Sequence, residues 1–313
     1  TGSYAPMAVS IGKDTRTLRE VPHSVTVITR QQLDDQNITT VESALKNVTG
    51  VTVQRFDATG SYTQFIARGY AADVYQLDGL TVQTDANGIY FDLAAFDRVE
   101  VQRGAASLFS GAGEPGVTVN MARKRALTDF KADGALSLGS WNDRRVDLDV
   151  TGKLNEAGTL RGRAVGVVRK FDTYMDGIDD NKKQMFYGTL EADIADRTTL
   201  SVGATWQHVG TVLSRGLPTW SGGRLIDMPV STMPVQAWNR QRLDSFSAFA
   251  ELERRGLDDS LFKVTLRHVR RGNNAKYLDP SIPAADGTMN ALSASAFERE
   301  DTDNSLDVYR SQP

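Results

Sequence analysis

Two kinds of hydrophobic pattern divide this chain. From Phe130 onward, apolar and polar residues alternate one by one over long stretches. Val146, Leu148, Val150 and Leu154 fall on one face of an extended segment, with Gly152 between them, while Arg145, Asp147, Asp149, Thr151 and Lys153 fall on the other. Leu200, Val202, Ala204 and Trp206 oppose Thr199, Ser201, Gly203 and Thr205 in the same way. Phe246, Ala248, Ala250 and Leu252 oppose Ser245, Ser247, Glu251 and Glu253, with Phe249 an exception on the polar side. Phe262, Val264 and Leu266 oppose Lys263, Thr265 and Arg267. A period of two is that of a strand whose faces meet different surroundings. Runs of ten or more residues exceed the usual five or six of globular sheets. They suit membrane-spanning strands with one face toward lipid and the other toward a wet lumen.

The connections agree. Tight polar turns at 155–158, 195–198 and 256–259 alternate with longer links at about 172–182, 210–239 and 272–290, apart from a brief link near 141–143. Short turns at one end and long loops at the other are the habit of outer-membrane barrels. A soluble β-sandwich is also built of alternating strands, but its strands are shorter and its loops lack this parity.

Before Phe130 the pattern is mixed. Residues 1–20 are polar and irregular, a flexible lead-in. Ser24–Thr29 is a β-branched alternating run, and Leu33, Ile38, Val41, Leu45 and Val48 then recur at roughly helical spacing between Arg30 and Val48. Thr40 stands as a helix N-terminus, with Glu42 in the first turn. A strand restarts at Val51. Residues 21–126 therefore read as a small α+β globule, and 127–313 as consecutive barrel strands, about eight in number.

Composition removes other classes. The 313 residues carry 36 basic and 39 acidic side chains, for a net charge of −3, and no cysteine. Mean hydropathy is −0.35, and no run approaches the roughly 18 apolar residues of a membrane helix. Alternating strands average to such a hydrophilic value, so a barrel stays open. The charge argues against nucleic acid as a partner. Without cysteine there are no disulfides, thiolate metal sites or Cys nucleophiles. His23, His208 and His268 are too dispersed for a metal cluster. Asp179-Asp180 and Asp301–Asp303 lack the spacing of a calcium loop and read as solvated charge. No G-x-S-x-G, P-loop or H-E-x-x-H is present, so the chain is not read as an enzyme. The opening Thr1-Gly2-Ser3-Tyr4 has no signal-peptide character and reads as a processed start.

The densest signal lies in Val99–Lys124, VEVQRGAASLFSGAGEPGVTVNMARK, where a short strand, Arg103-Gly104, a turn region with Gly111, Gly113 and Gly116, and a second apolar strand follow in order. Upstream stand Ala67-Arg68-Gly69-Tyr70 and Gln76-Leu77-Asp78-Gly79-Leu80. In this order the three pieces resemble the plug domain of TonB-dependent outer-membrane receptors, above all those for ferric siderophores. The resemblance implies a membrane β-barrel of antiparallel strands, twenty-two in the family, with an N-terminal α+β plug inside it. An eight-stranded barrel has an interior just filled by side chains, whereas a plug of about 120 residues has a radius of gyration of roughly 13–14 Å. The chain is thus expected to be an N-terminal portion of a longer receptor.

The family further implies the bacterial outer membrane, contact with its lipid, and energy from a TonB–ExbB–ExbD complex. Its coupling segment is not recognisable here. No cofactor is implied, since the cargo is an iron(III)–siderophore chelate. Gly111-Ala112-Gly113-Glu114-Pro115 followed by Arg123-Lys124-Arg125 resembles ferripyoverdine, ferrioxamine and coprogen receptors, which favours a hydroxamate-type ligand. By resemblance Arg68, beside Tyr70, lies under the ligand at the plug apex; a guanidinium there suits the oxygens of a chelate, though it can equally bridge to the wall. Gln83 belongs to the adjacent apical loop. Tyr90 and Phe91 offer aromatic walls or plug core, and Trp220 and Trp238 are further ligand contacts or loop and girdle packing. Arg98, Glu100 and Arg103, read as one charged strand face, form the ionic lock between plug and barrel wall with acidic wall partners. A haem, cobalamin or glycan receptor of the same fold, and a β-rich adhesin module without transport, are the competing readings.

Overall fold

The computed structural model describes residues 3–5, 8–11, 17–21, 23–56, 63–72, 74–82, 91–104, 116–213, 220, 224, 226–232, 238–258, 260–279 and 293–311. The N-terminal half opens with strand β1 (Ser24–Thr29), helix α1 (Arg30–Asp35) and helix α2 (Val41–Lys46). The helical spacing from Arg30 to Val48 resolves into two short helices, the second starting after Thr40 as expected. Asn37 adopts φ +50° between them, a conformation no helix continues through. Thr29 and Thr40 cap the two helices, each side chain accepting a backbone N–H, from Gln32 and Ser43.

Strands β2 (Val51–Arg55), β3 (Thr63–Ala67) and β4 (Tyr70–Ala71) form a small antiparallel sheet. Strands β5 (Val74–Leu77), β6 (Leu80–Val82), β7 (Phe96–Arg103) and β8 (Val117–Arg123) join β1 in a second sheet of order β1-β7-β8-β5-β6. Both sequence motifs upstream prove to be two-residue hairpin turns. Arg68-Gly69 (φ +54° and +85°) closes β3 to β4, and Asp78-Gly79 (φ +50° and +81°) closes β5 to β6. Positive φ at both positions is the turn whose twist matches paired strands, hence a glycine in each. Strands β7 and β8 are central. Val99, Val101, Val119 and Met121 are fully buried against Leu33, Ala44, Leu45 and Leu93, each large aliphatic side chain contributing about 1.5–3 kcal/mol.

The lead-in is not loose throughout. Val9 and Ile11 are buried, and Ser10 donates its N–H to both oxygens of Glu100 at 2.8 and 3.0 Å.

The second half is one antiparallel sheet in strict chain order: β9 (Lys131–Leu138), β10 (Arg144–Lys153), β11 (Leu160–Phe171), β12 (Asn181–Ala195), β13 (Thr198–Thr211), β14 (Arg240–Arg255), β15 (Leu261–Asp279) and β16 (Ser293–Ser311). Eight strands were expected and the described residues form eight, though β15 runs on to Asp279, through residues expected to begin a loop. The large apolar residues exposed on β9 to β15, among them Leu136, Leu148, Leu190, Trp206 and Leu266, carry even numbers, as do Leu306 and Val308 on β16, where Phe297 is the odd-numbered exception. Odd-numbered residues face the plug. On β12 the outward run from Phe186 to Ile194 covers nine residues, eight steps or about 27 Å at 3.4 Å per residue. Tilted by about 40°, that covers roughly 20 Å of membrane normal, close to the ~25 Å apolar band of such barrels. At its upper edge Phe186, Trp206 and Phe246 pair in register across three strands, the first two stacked at 5.8 Å, the position of an interfacial aromatic girdle.

Candidate ligand site and the interface between plug and wall

Polarity of the molecule follows from the connections. The short turns after β10, β12 and β14 lie at one end, where the chain passes from the plug into β9, and the long links lie at the other. Strand β8 runs toward the short-turn end, so its start at Gly116 lies toward the long-link end. Arg68 and Tyr70 gather there. Arg68 lies over Gly104, where a Cβ would stand 3.3 Å from Nη1, and a Cβ on Gly116 would stand 3.3 Å from that of Tyr70. Without a Cβ, Gly104 and Gly116 leave room for Arg68 and Tyr70 to approach the ends of β7 and β8 closely. Arg68 is exposed and makes no hydrogen bond or ion pair among the described residues; Tyr70 is exposed as well. Among the described residues, the apex thus presents a guanidinium with no described partner beside a phenol.

The other expected contacts disperse. Gln83 and Tyr90 lie outside the described residues. Phe91 points into the seam between plug and wall, edge-on to Phe96 at 6.0 Å. Trp220 and Trp238 belong to the link after β13; Trp220 N–H donates to Arg224 O at 2.8 Å, and Lys276 Nζ stands 5.2 Å over the Trp238 ring. His208 and His268 project outward from the strands, toward Asp244 (2.7 Å) and Asn304 (2.8 Å).

The lock assigned to Arg98, Glu100 and Arg103 needs correction. Arg98 Nε donates to Glu100 at 2.7 Å, and Glu100 also accepts from Ser10 and from Asn120 at 2.8 Å. Arg103 projects from the opposite face and donates to Thr49 O (2.7 Å) and Ser24 Oγ (2.8 Å). All these partners lie in the plug or its lead-in. The reason is position: Ser10 and Asn120 cover one face of β7, and on the other Arg103 meets Thr49 and Ser24, so none of the three has a described partner on the eight wall strands present.

Charges that do cross come from the plug margin. Arg145 of β10 clasps Asp92 with two hydrogen bonds, at 2.6 and 2.9 Å. Lys124 Nζ meets Asp149 at 2.8 Å, and Arg125 Nη2 meets Glu251 at 2.6 Å. Ala126 N–H donates to Glu191 at 3.0 Å, Tyr187 O–H to Lys124 O at 2.7 Å, and Arg267 Nη2 to Thr81 O at 2.6 Å. The Arg123 guanidinium sits 3.5 Å from the centre of the Phe249 ring, which explains the aromatic on the polar face of β14. Asp78 accepts from Arg123 N–H at 2.8 Å and pairs with its guanidinium. Burial alone would raise the Asp78 pKa, but the charges of Arg123 and Arg125 outweigh it and hold the carboxyl well below the ordinary range. The parity of charged residues on the strands was the signal for this seam: Arg145, Asp149, Glu191, Glu251 and Arg267 are all odd-numbered.

Residues 17–118 match the family model of the TonB-dependent receptor plug domain. The ferric-pyoverdine M114 receptor PbuA of Pseudomonas sp. (strain M114) is 36% identical over 319 residues, covering 99% of this chain and 38% of that protein. The chain belongs to the TonB-dependent outer-membrane receptor family. A crystal structure of the ferripyoverdine receptor of the Pseudomonas aeruginosa outer membrane, bound to ferripyoverdine, superposes with a TM-score of 0.92 at 32% identity, covering 99% of this chain and 42% of that one. The ferrioxamine B receptor of Salmonella typhimurium is 30% identical over 191 residues, 59% of this chain and 27% of that protein. The chain spans about two fifths of the length of the pyoverdine receptors it matches end to end. Its described residues form a plug-like α+β unit and an antiparallel sheet of eight consecutive strands.

Proposed function

We propose that this chain is part of a receptor that binds a ferric siderophore and imports it across the outer membrane, driven by a TonB–ExbB–ExbD complex. Likeness over the whole chain to receptors named for ferric pyoverdine carries the reading. The apex supports it chemically. Arg68 offers a planar, permanently charged fork to the oxygens of a chelate, and Tyr70 a ring and hydroxyl beside it. A hydroxamate-type chelate is the finer proposal. The outward placement of His208 and His268 leaves neither able to serve as a haem ligand from the lumen.

The test is tryptophan fluorescence quenching of the detergent-solubilised full-length receptor, titrated with ferric and iron-free siderophores. Saturable submicromolar quenching by one ferric hydroxamate, weakened at least tenfold in Arg68→Ala, is the expected result. Binding of cobalamin, haem or an oligosaccharide with no response to any chelate would keep the fold and replace the ligand.

A further inference from the structure

A cavity of about 450 Å³ lies between the plug and strands β9–β13, toward the long-link end. Four cationic side chains line it: Arg55, Arg145, Arg169 and Lys183. Three of them are satisfied in bidentate pairs. Arg55 clasps Glu42 at 2.6 and 2.9 Å, Arg145 clasps Asp92, and Arg169 clasps Asp143 at 2.8 and 2.7 Å. Lys183 has no carboxylate partner among the described residues. Its odd number turns it inward to the plug, and its Nζ stands 5.7 Å from the centre of the Phe171 ring, over which Arg169 also lies at 4.5 Å. Arg145 also binds Asp147, through Nε at 2.8 Å, and Lys46 also pairs with Glu42 at 2.7 Å, so the lining and its direct partners set five cations against four carboxylates. One positive charge is in excess, and Lys183 carries it.

An ammonium held in a confined, partly apolar space is costly unless an anion or hydrogen-bond acceptors answer it. The pairs around it are closed fork on fork, so none can release a carboxylate without opening a bidentate contact. Acceptors on the lining, such as Gln184 and Gln207, are neutral and leave the charge in place. We propose that the cavity is an oxyanion site, taking a carboxylate, hydroxamate or phosphate group on Lys183 Nζ. The site is distinct from the apex, where Arg68 stands. The anion comes either from the imported chelate, an option that rests on the receptor reading above, or from free inorganic anion.

The experiment follows the phosphorus-31 line width of inorganic phosphate added to the full-length receptor in detergent. Wild type and Lys183→Arg, which keeps the charge, are expected to broaden the line, and Lys183→Met to reduce the broadening at least threefold. Displacement of phosphate by a ferric chelate that binds the receptor assigns the anion to the chelate; persistence of the phosphate signal assigns it to free anion. Equal broadening in wild type and Lys183→Met, or none in wild type, overturns the site. Because phosphate is the probe, a receptor that binds no siderophore at all would refute the proposed function while leaving this result readable.

Discussion

Single residues at the seam carry more than their type suggests. Gly203 lies on the inner face of β13 without unusual backbone angles, yet a Cβ there would meet Gly188 O at 2.6 Å and the Phe249 ring at 2.6 and 2.8 Å. The carbonyl cannot yield cheaply, and the ring is the one that supports Arg123. Gly203→Ala should therefore destabilise the plug-in-barrel state by about 1–3 kcal/mol, the usual cost of overpacking. Thermal unfolding of the full-length receptor would register it, and Phe249→Leu in the same chain should recover part of the loss. Asp78 gives a prediction in pH. Its carboxyl is depressed in the folded state by Arg123 and Arg125 against the opposing effect of burial. The stability it contributes is complete above the unfolded-state value, about 3.9, and is lost as pH falls through the folded one. Asp78→Asn should thus lower the melting temperature at pH 7, and the gap to wild type should narrow only below about pH 4. A constant gap down to pH 2 would remove Asp78 from the network. Neither effect is legible from sequence, since each depends on a neighbour more than forty residues away.

At the level of elements, the turns were legible and their partners were not. Arg68-Gly69 and Asp78-Gly79 announce tight hairpins because only a glycine-containing pair holds positive φ twice at low cost. Thr40 announces a helix start for an equally local reason. The break at Asn37 escaped because the apolar spacing runs straight across it. The charges on β7 misled for a different reason. A charged strand face looks the same in sequence whether it meets the wall or is covered by its own lead-in, and here Ser10 covers it. The contacts that join plug to wall sit instead on Asp92 and on the segment leaving β8. Asp92 and Arg145 are both buried, so Arg145→Met should leave a buried carboxylate unpaired at a cost of about 3–5 kcal/mol. The double variant Arg145→Met with Asp92→Asn should be milder than the single one. A double-mutant cycle on proteolytic release of the plug measures this, and strict additivity would show that the pair does not bind plug to wall.

For the whole molecule, the even-numbered face of eight strands is an apolar surface too extensive for water. Leu148, Leu190, Leu266 and Leu306 are all about half exposed or more, and together with the aromatic row they define a lipid band. An arginine in place of Leu266 should cost about 2–4 kcal/mol near the bilayer middle, whereas Thr302→Arg, outward on β16 above the band, should cost little; reversible unfolding in vesicles separates the two. By itself the sequence determined the period-two strands, the parity of long and short connections, the hairpin turns and the family resemblance. The period and the turns are set by neighbours one to four residues apart, and the parity and the resemblance by order along the chain. Only the tertiary structure decided which charges face one another across the seam, which segment shields Glu100, and where Lys183 stands without a carboxylate partner among the described residues. Those depend on how a sheet of eight strands wraps the plug, and strand alternation specifies a face but not what lies opposite it.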